Sequence, residues 1–203
     1  MAITFVASGT VSAGTGTNSP GLPSGWAIDD CHILVIESNG TGSAAGGPAG
    51  WNLVGFSTTS HSTSDDTQVT VYERIAQSGD STPTVPDDGN HTQSRIHGFR
   101  GVDTTTPIHG TPVTSSDNSN DTSYNGTGIT TTVDGAMVGY AASHGDNGAS
   151  WSSLGGHNLA SITDVYNSTT SGNDGSMHLA YGLLTTAGAS GTLTATIAVS
   201  EEE

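Results

Sequence analysis

The sequence predicts an all-β protein, a two-sheet, jelly-roll-like sandwich of about nine or ten strands. Three observations carry this prediction. Gly, Ser and Thr dominate while Glu, Gln, Leu and Met are few and Lys is absent, so helix propensity is poor and the chain favours a pleated surface. Apolar residues alternate with a period of two over short runs, and no window of about eleven residues carries a helical period. Turn residues separate those runs at short spacing, and strand-only chains of this size close their edges as sandwiches, jelly rolls or barrels. At 203 residues, 32% of them apolar, the whole span 1–203 reads as one domain with a thin core and long polar loops.

Each element follows from its local pattern. Ile3 to Ser8 reads as the first strand, and a Gly/Thr/Ser-rich stretch from Gly9 to Ser19 leads to the turn Pro20-Gly21-Leu22-Pro23-Ser24-Gly25 before Trp26. Cys31 to Ser38 is apolar on both alternations, as a central strand covered on both faces requires. After a loop from Asn39 to Gly50 come strands at Trp51 to Phe56, Val69 to Ile75 and Ser94 to Val102. Ala136 to Ala142 follows the turn Asp134-Gly135, and Leu159 to Tyr166 and Met177 to Leu184 come next. The last strand alternates most cleanly, with Leu193, Ala195, Ile197 and Val199 on one side and Thr192, Thr194 and Thr196 on the other. Ser57 to Asp66, Pro86 to Gln93, Asp103 to Gly126 and Ser143 to Asn158 are the expected long loops.

The charge is lopsided: 3 Arg stand against 19 acids, for a net charge of −16. Such a polyanion repels nucleic-acid phosphates and anionic membranes, so neither is an expected partner. Asp enrichment with no Lys at all exceeds what solubility needs and points to a high-salt setting. There, at about 1 M salt, the Debye length falls to roughly 3 Å and the repulsion is screened. Cys31 is the only cysteine, so no intramolecular disulfide is expected, and its apolar run predicts a buried, inert thiol. Met1-Ala2-Ile3-Thr4-Phe5-Val6 lacks the basic and apolar regions of a secretory signal, and no run is long enough to insert in a membrane as a helix.

The order of segments has a recognisable pattern. Asp29-Asp30 precedes the run Ile33 to Glu37; then come Pro48-Ala49-Gly50-Trp51-Asn52-Leu53-Val54-Gly55, Val71-Tyr72-Glu73-Arg74-Ile75-Ala76 and Phe99-Arg100-Gly101-Val102-Asp103. This resembles a widespread family of phage and prokaryotic β-sandwich proteins with an acidic residue and apolar strand, PxGWxLVG, YxRxA and YRGV-like motifs. Its members usually carry Gly-Asp where this chain has Asp29-Asp30, and Tyr where it has Phe99. The resemblance implies a structural or adhesive module in a virion or on a cell surface and no reaction; with the high-salt composition, the expected role is a capsid decoration, turret or tail-fibre subunit of a virus infecting a halophilic host. Such a subunit is assembled in the host cytoplasm and reaches the outside by lysis, which reconciles an extracellular-looking composition with a start that lacks a signal. Its partners would be copies of itself in a homo-oligomer, other virion proteins, and a host surface glycan or protein. The alternative reading is a cell-surface carbohydrate-binding or adhesin module. Trp51 and Phe99 read as core aromatics, Gly101 as a position of close approach, and Arg74 as a strand residue paired to an acid.

No catalytic residue emerges, and the chain is read as not an enzyme. Ser, His and Asp abound, but there is no Gly-x-Ser-x-Gly elbow; Ser150-Trp151-Ser152-Ser153 lacks the flanking glycines. The eight His are scattered, the tightest groupings being His144-Gly145-Asp146 and Arg95-Ile96-His97, without zinc-ligand spacing. No cofactor is expected beyond one structural Ca²⁺, whose hard-oxygen shell Asp65-Asp66, Asp87-Asp88 or Asp117 to Asp121 would suit by composition. Asn-x-Ser/Thr sequons lie at Asn39, Asn90, Asn120, Asn125 and Asn167, slightly more than chance gives. Sugar sites on sandwiches use exposed aromatics beside polar loops. Trp151, Tyr124 and Trp26 are the candidate ligand-facing aromatics, with Tyr166 behind them, and capping of the core is the competing role for each.

Overall fold

The computed structural model describes residues 2–39, 44–59, 67–89, 91–116, 121–145, 151–169 and 175–201. Fourteen strands follow one another with no helix among the described residues. They are β1 (Thr4–Ser8), β2 (Ser12–Gly14), β3 (Cys31–Ser38), β4 (Asn52–Thr59), β5 (Thr67–Ile75), β6 (Thr92–Arg100) and β7 (Asp121–Gly126). The second half adds β8 (Thr130–Thr131), β9 (Ala136–His144), β10 (Trp151–His157), β11 (Ile162–Thr169), β12 (Ser176–Leu184), β13 (Gly188–Ala189) and β14 (Gly191–Glu201). All pairings are antiparallel. The first sheet runs β1-β6-β3-β5-β4 with β2 also on β6, the second β11-β12-β9 and the third β10-β14-β7, while β13 and β8 pair by themselves.

Side-chain alternation stacks these sheets. On β3, Val35 joins Val69 of β5 and Met177 and Leu179 of β12 in one buried cluster, which glues the first sheet to the second. The opposite face of β3 sends Leu34 and Ile36 into another cluster with Tyr72 and Ile96, covered by Leu22, Ala45 and Val85 from the connecting segments. The far face of the second sheet, Val138, Tyr140, Ala142, Ala180 and Leu184, meets Trp151, Leu193, Ala195 and Ile197 of the third. The all-β sandwich is thus three sheets deep. Leu34, Ile36 and Ile96 are fully buried, and removing each such side chain from water contributes about 1.5–3 kcal/mol.

The motif residues of the sequence build this frame. Asp30, just before β3, accepts Arg100 Nε at 2.8 Å and Nη2 at 2.7 Å, joining β3 to the end of β6. Burial alone would raise the Asp30 carboxyl, but those guanidinium bonds and the N–H of Ala27 hold it below the ordinary range. Asp29 sits at φ 71°, in the left-handed region that Gly enters freely and Asp tolerates. Gly101, at φ 83°, lies so close to the strand before it that an added Cβ would stand 2.7 Å from the Ala2 carbonyl oxygen. Phe99 packs edge-on against Phe5 and Tyr181, with centroids at 5.6 and 5.4 Å.

Two expected loops contain strands instead. Asp103 to Gly126 ends in β7, and Ser143 to Asn158 contains β10. Both are edge strands of the third sheet, so neither needs a full apolar face. Each turns one aromatic inward, Tyr124 and Trp151, against the alternating face of β14. Together with the short β2, β8 and β13, they bring the number of strands above nine or ten.

Candidate functional site

Pairing register assembles a polar and aromatic patch on the outer face of the first sheet. His32 of β3 and Arg74 of β5 are directly paired, and both side chains point away from the second sheet. Arg74 reaches Asp80, donating from Nη2 at 2.6 Å and from Nε at 3.3 Å, and its Nη1 donates to the Gly50 carbonyl at 3.0 Å. Gly50 is required there, because a Cβ would stand 2.6 Å from that nitrogen and φ is 79°. The Asp80 carboxylate also accepts the Gln77 N–H at 2.9 Å, and the Arg74 hydrogen bonds hold its pKa below the usual range. His32 is fully buried and touches two indoles, Trp26 edge-on at 5.7 Å and Trp51 stacked at 6.4 Å. Burial pushes its pKa down, so the ring is neutral, and neither ring nitrogen has a hydrogen-bond partner among the described residues.

Trp51, Arg74 and Asp80 open onto a cleft of about 400 Å³ whose far wall is Ser81, Thr82 and Thr84. A half-exposed indole beside a planar guanidinium–carboxylate pair and a row of hydroxyls suits a polyol. The indole receives a C–H face, and the polar groups offer both donors and acceptors. No family model, no curated protein and no solved structure matches the chain. The chemistry of the patch therefore stands on its geometry alone.

Of the candidate aromatics, Trp26 lies half-buried at this patch, on the edge of His32. Trp151 is a correction. It is 7% exposed inside the core between the second and third sheets, stacked on His178 at 4.7 Å and 8° and tilted against Tyr124 at 4.6 Å. Ser152 is exposed on the other face of β10, so a polar sequence context concealed an inward indole. Tyr124 is half-buried against the same core, and the side chain of Tyr166 lies outside the described residues. Trp51, expected only in the core, packs against the outer-face cluster and still lines the cleft.

The opposite rim carries a buried polar cluster. Glu37 is fully buried; its carboxylate pairs with His91 Nε2 at 2.7 Å and accepts Gln93 Nε2 at 3.1 Å and the Thr67 hydroxyl at 3.3 Å. Gln93 Nε2 also donates to the Gly175 carbonyl at 3.4 Å, joining the first sheet to the second. Burial raises the Glu37 carboxyl despite these partners. Ser38 pairs across to Gln68 and Thr92, Thr59 to Thr67, and Ser176 to both His144 and Thr169. These strand ends thus lie together at one rim of the stack. Of the Asp-rich segments, Asp88 accepts the Ser38 hydroxyl at 2.7 Å, whereas Asp65-Asp66 and 117–120 lie outside the described residues. Burial pushes the Cys31 thiol up to about 12, the inert state expected of it.

Proposed function

We propose that the chain is a structural display subunit of a virion surface, such as a capsid decoration, turret or tail-fibre subunit, from a virus of a halophilic host. Its work is assembly with copies of itself and with other virion proteins, and the reading assigns it no reaction. One observation carries it: the motif residues Asp30, Arg74, Arg100 and Gly101 brace one rim of the stack, while strand ends from the first two sheets gather at the opposite rim. Loops held on such a scaffold are where recognition concentrates. Repetition over a particle sums weak single contacts into firm attachment.

The charge distribution supports the high-salt setting. Each arginine is already engaged, Arg74 by Asp80, Arg95 Nε by the Gly9 carbonyl at 2.6 Å and Arg100 by Asp30. No lysine and no further arginine is left to offset the other acids. Copies pack closely only when that repulsion is screened. Light scattering in about 2 M salt should give a discrete oligomer that dissociates in dilute buffer, with Tm falling about 5–10 °C, as a loss of about 2–3 kcal/mol implies. A monomer in both buffers, melting at one temperature, would sink this reading.

The cleft beside Trp51 favours a second reading, a carbohydrate-binding module of a cell or particle surface. A glycan array should then show neutral oligosaccharides bound by the intact chain. Trp51→Ala should lose that binding by about tenfold or more, as removal of a stacking face costs over 1 kcal/mol. An empty array would remove this reading and leave the first intact.

A further inference from the structure

A second cavity, unconnected with the cleft, lies between the first two sheets and holds about 540 Å³. Its inner walls are Ile33, Val71 and Phe99 on one sheet and Met137, Leu179 and Tyr181 on the other. Residues Pro107 to Ser115 form its outer wall, held to β4 where the Ser57 hydroxyl donates to the Ser115 carbonyl at 2.6 Å. The volume is that of a small-molecule site, which runs to about 300–1,000 Å³.

Two glycines show that the space is not left over from poor packing of large side chains. Gly139 sits in mid-β9 on the same face as Met137 and Ala141, and a Cβ there would meet only Leu179 Cδ1, at 4.0 Å. Gly55, in β4 across the cavity, would meet only Pro112 Cβ, at 3.5 Å. Neither has the left-handed φ that demands glycine, and glycine inside a strand costs about 0.5–1 kcal/mol relative to alanine. What both glycines supply is room for something to approach the backbone. The charged groups of the lining are Asp103 and Asp134, with His109 near them and no arginine.

We infer that this cavity binds an elongated apolar molecule with a neutral or amine head, of the class of a long-chain alcohol or amine, and discriminates against a carboxylate head. The apolar walls take the chain, and the two carboxylates select the head by charge. The inference is independent of the assembly and glycan readings.

Titration of the intact chain with Nile red, a neutral apolar dye, should saturate at one dye per chain. Hexadecanol and hexadecylamine should displace the dye, and hexadecanoate should do so at least about tenfold less well, a difference of about 1.4 kcal/mol. Gly139→Leu, which fills the cavity from β9, should abolish uptake while the melting temperature stays within a few degrees. Gly55→Val tests the opposite wall if the first variant folds poorly. Absence of saturable uptake, or uptake that survives both substitutions, would overturn the site, and equal displacement by hexadecanoate would overturn its charge selection. A chain that takes up no dye but loses self-association in Gly139→Leu would assign the cavity to a second copy and overturn the inference.

Discussion

Lowering the pH from 7 to 5 should remove about 4 kcal/mol of folding stability through His97 and His178 alone. Burial, with the nearby Arg95 charge, pushes the His97 pKa down to about 3, and burial, with His144 alongside, does the same for His178. Both rings stay neutral in the fold while the unfolded chain, with His near 6.5, takes up protons. The unfolded state then binds more protons, so stability is complete above about pH 6.5 and falls with pH until the folded rings titrate near 3. Between pH 7 and 5 each ring contributes about 2 kcal/mol of that loss, whatever its folded pKa below about 4. His32 has the same sign. Glu37 has the opposite one, because its raised carboxyl favours the protonated folded state. A further acid step follows below about pH 4, where Asp30 and Asp80, held low by their arginines, lose their ion pairs. Urea midpoints by circular dichroism at fixed salt measure the slope. A flat profile between pH 7 and 5 would mean that water reaches these rings in the native state.

Trp151→Ala should cost about 3–5 kcal/mol, enough to leave a marginal domain largely unfolded. The indole is 7% exposed and stacks on His178 at 4.7 Å, so its removal opens a hole that β10 and β14 cannot close without breaking their ladder. Trp26→Ala is the comparison: a half-buried ring on the edge of His32 gives up less area and should cost less than half as much. The two variants melted in urea side by side decide between a core role and a surface role for Trp151. Equal, small effects would return Trp151 to the surface.

The parts of the fold that were legible are those whose residues report their own surroundings. β3, β9 and β12 are covered on two faces and read as apolar runs; β14 alternates because one of its faces is open. Asp30, Arg74, Arg100 and Gly101 stood out as motif positions and serve the frame. Arg74 has the acidic partner expected of it, though Asp80 itself carries no local signal. β7 and β10 escaped notice because an edge strand with a single inward aromatic looks like loop. Trp151 misled for the same reason, since flanking serines describe a strand's other face. The cleft was illegible for a different reason. Its parts come from the segment before β4, from Arg74 of β5 and from the connection after β5, and only the folded sheet brings them together. The cavity is likewise a product of register, for neither Gly55 nor Gly139 differs in sequence from the other glycines of the chain.

The engagement of the arginines has one more consequence. Trypsin-like proteases cut after Arg or Lys, and this chain presents them with only Arg74, Arg95 and Arg100. All three lie in strands of the first sheet, with their side chains already committed to Asp80, to the Gly9 carbonyl and to Asp30. Cleavage requires a segment to leave its sheet and enter the protease cleft extended. The native chain is therefore a poor substrate for that protease class, and any digestion follows the opening of the first sheet rather than the composition of the surface loops. The scarcity of basic residues that leaves the chain so acidic thus also leaves this protease class few places to start.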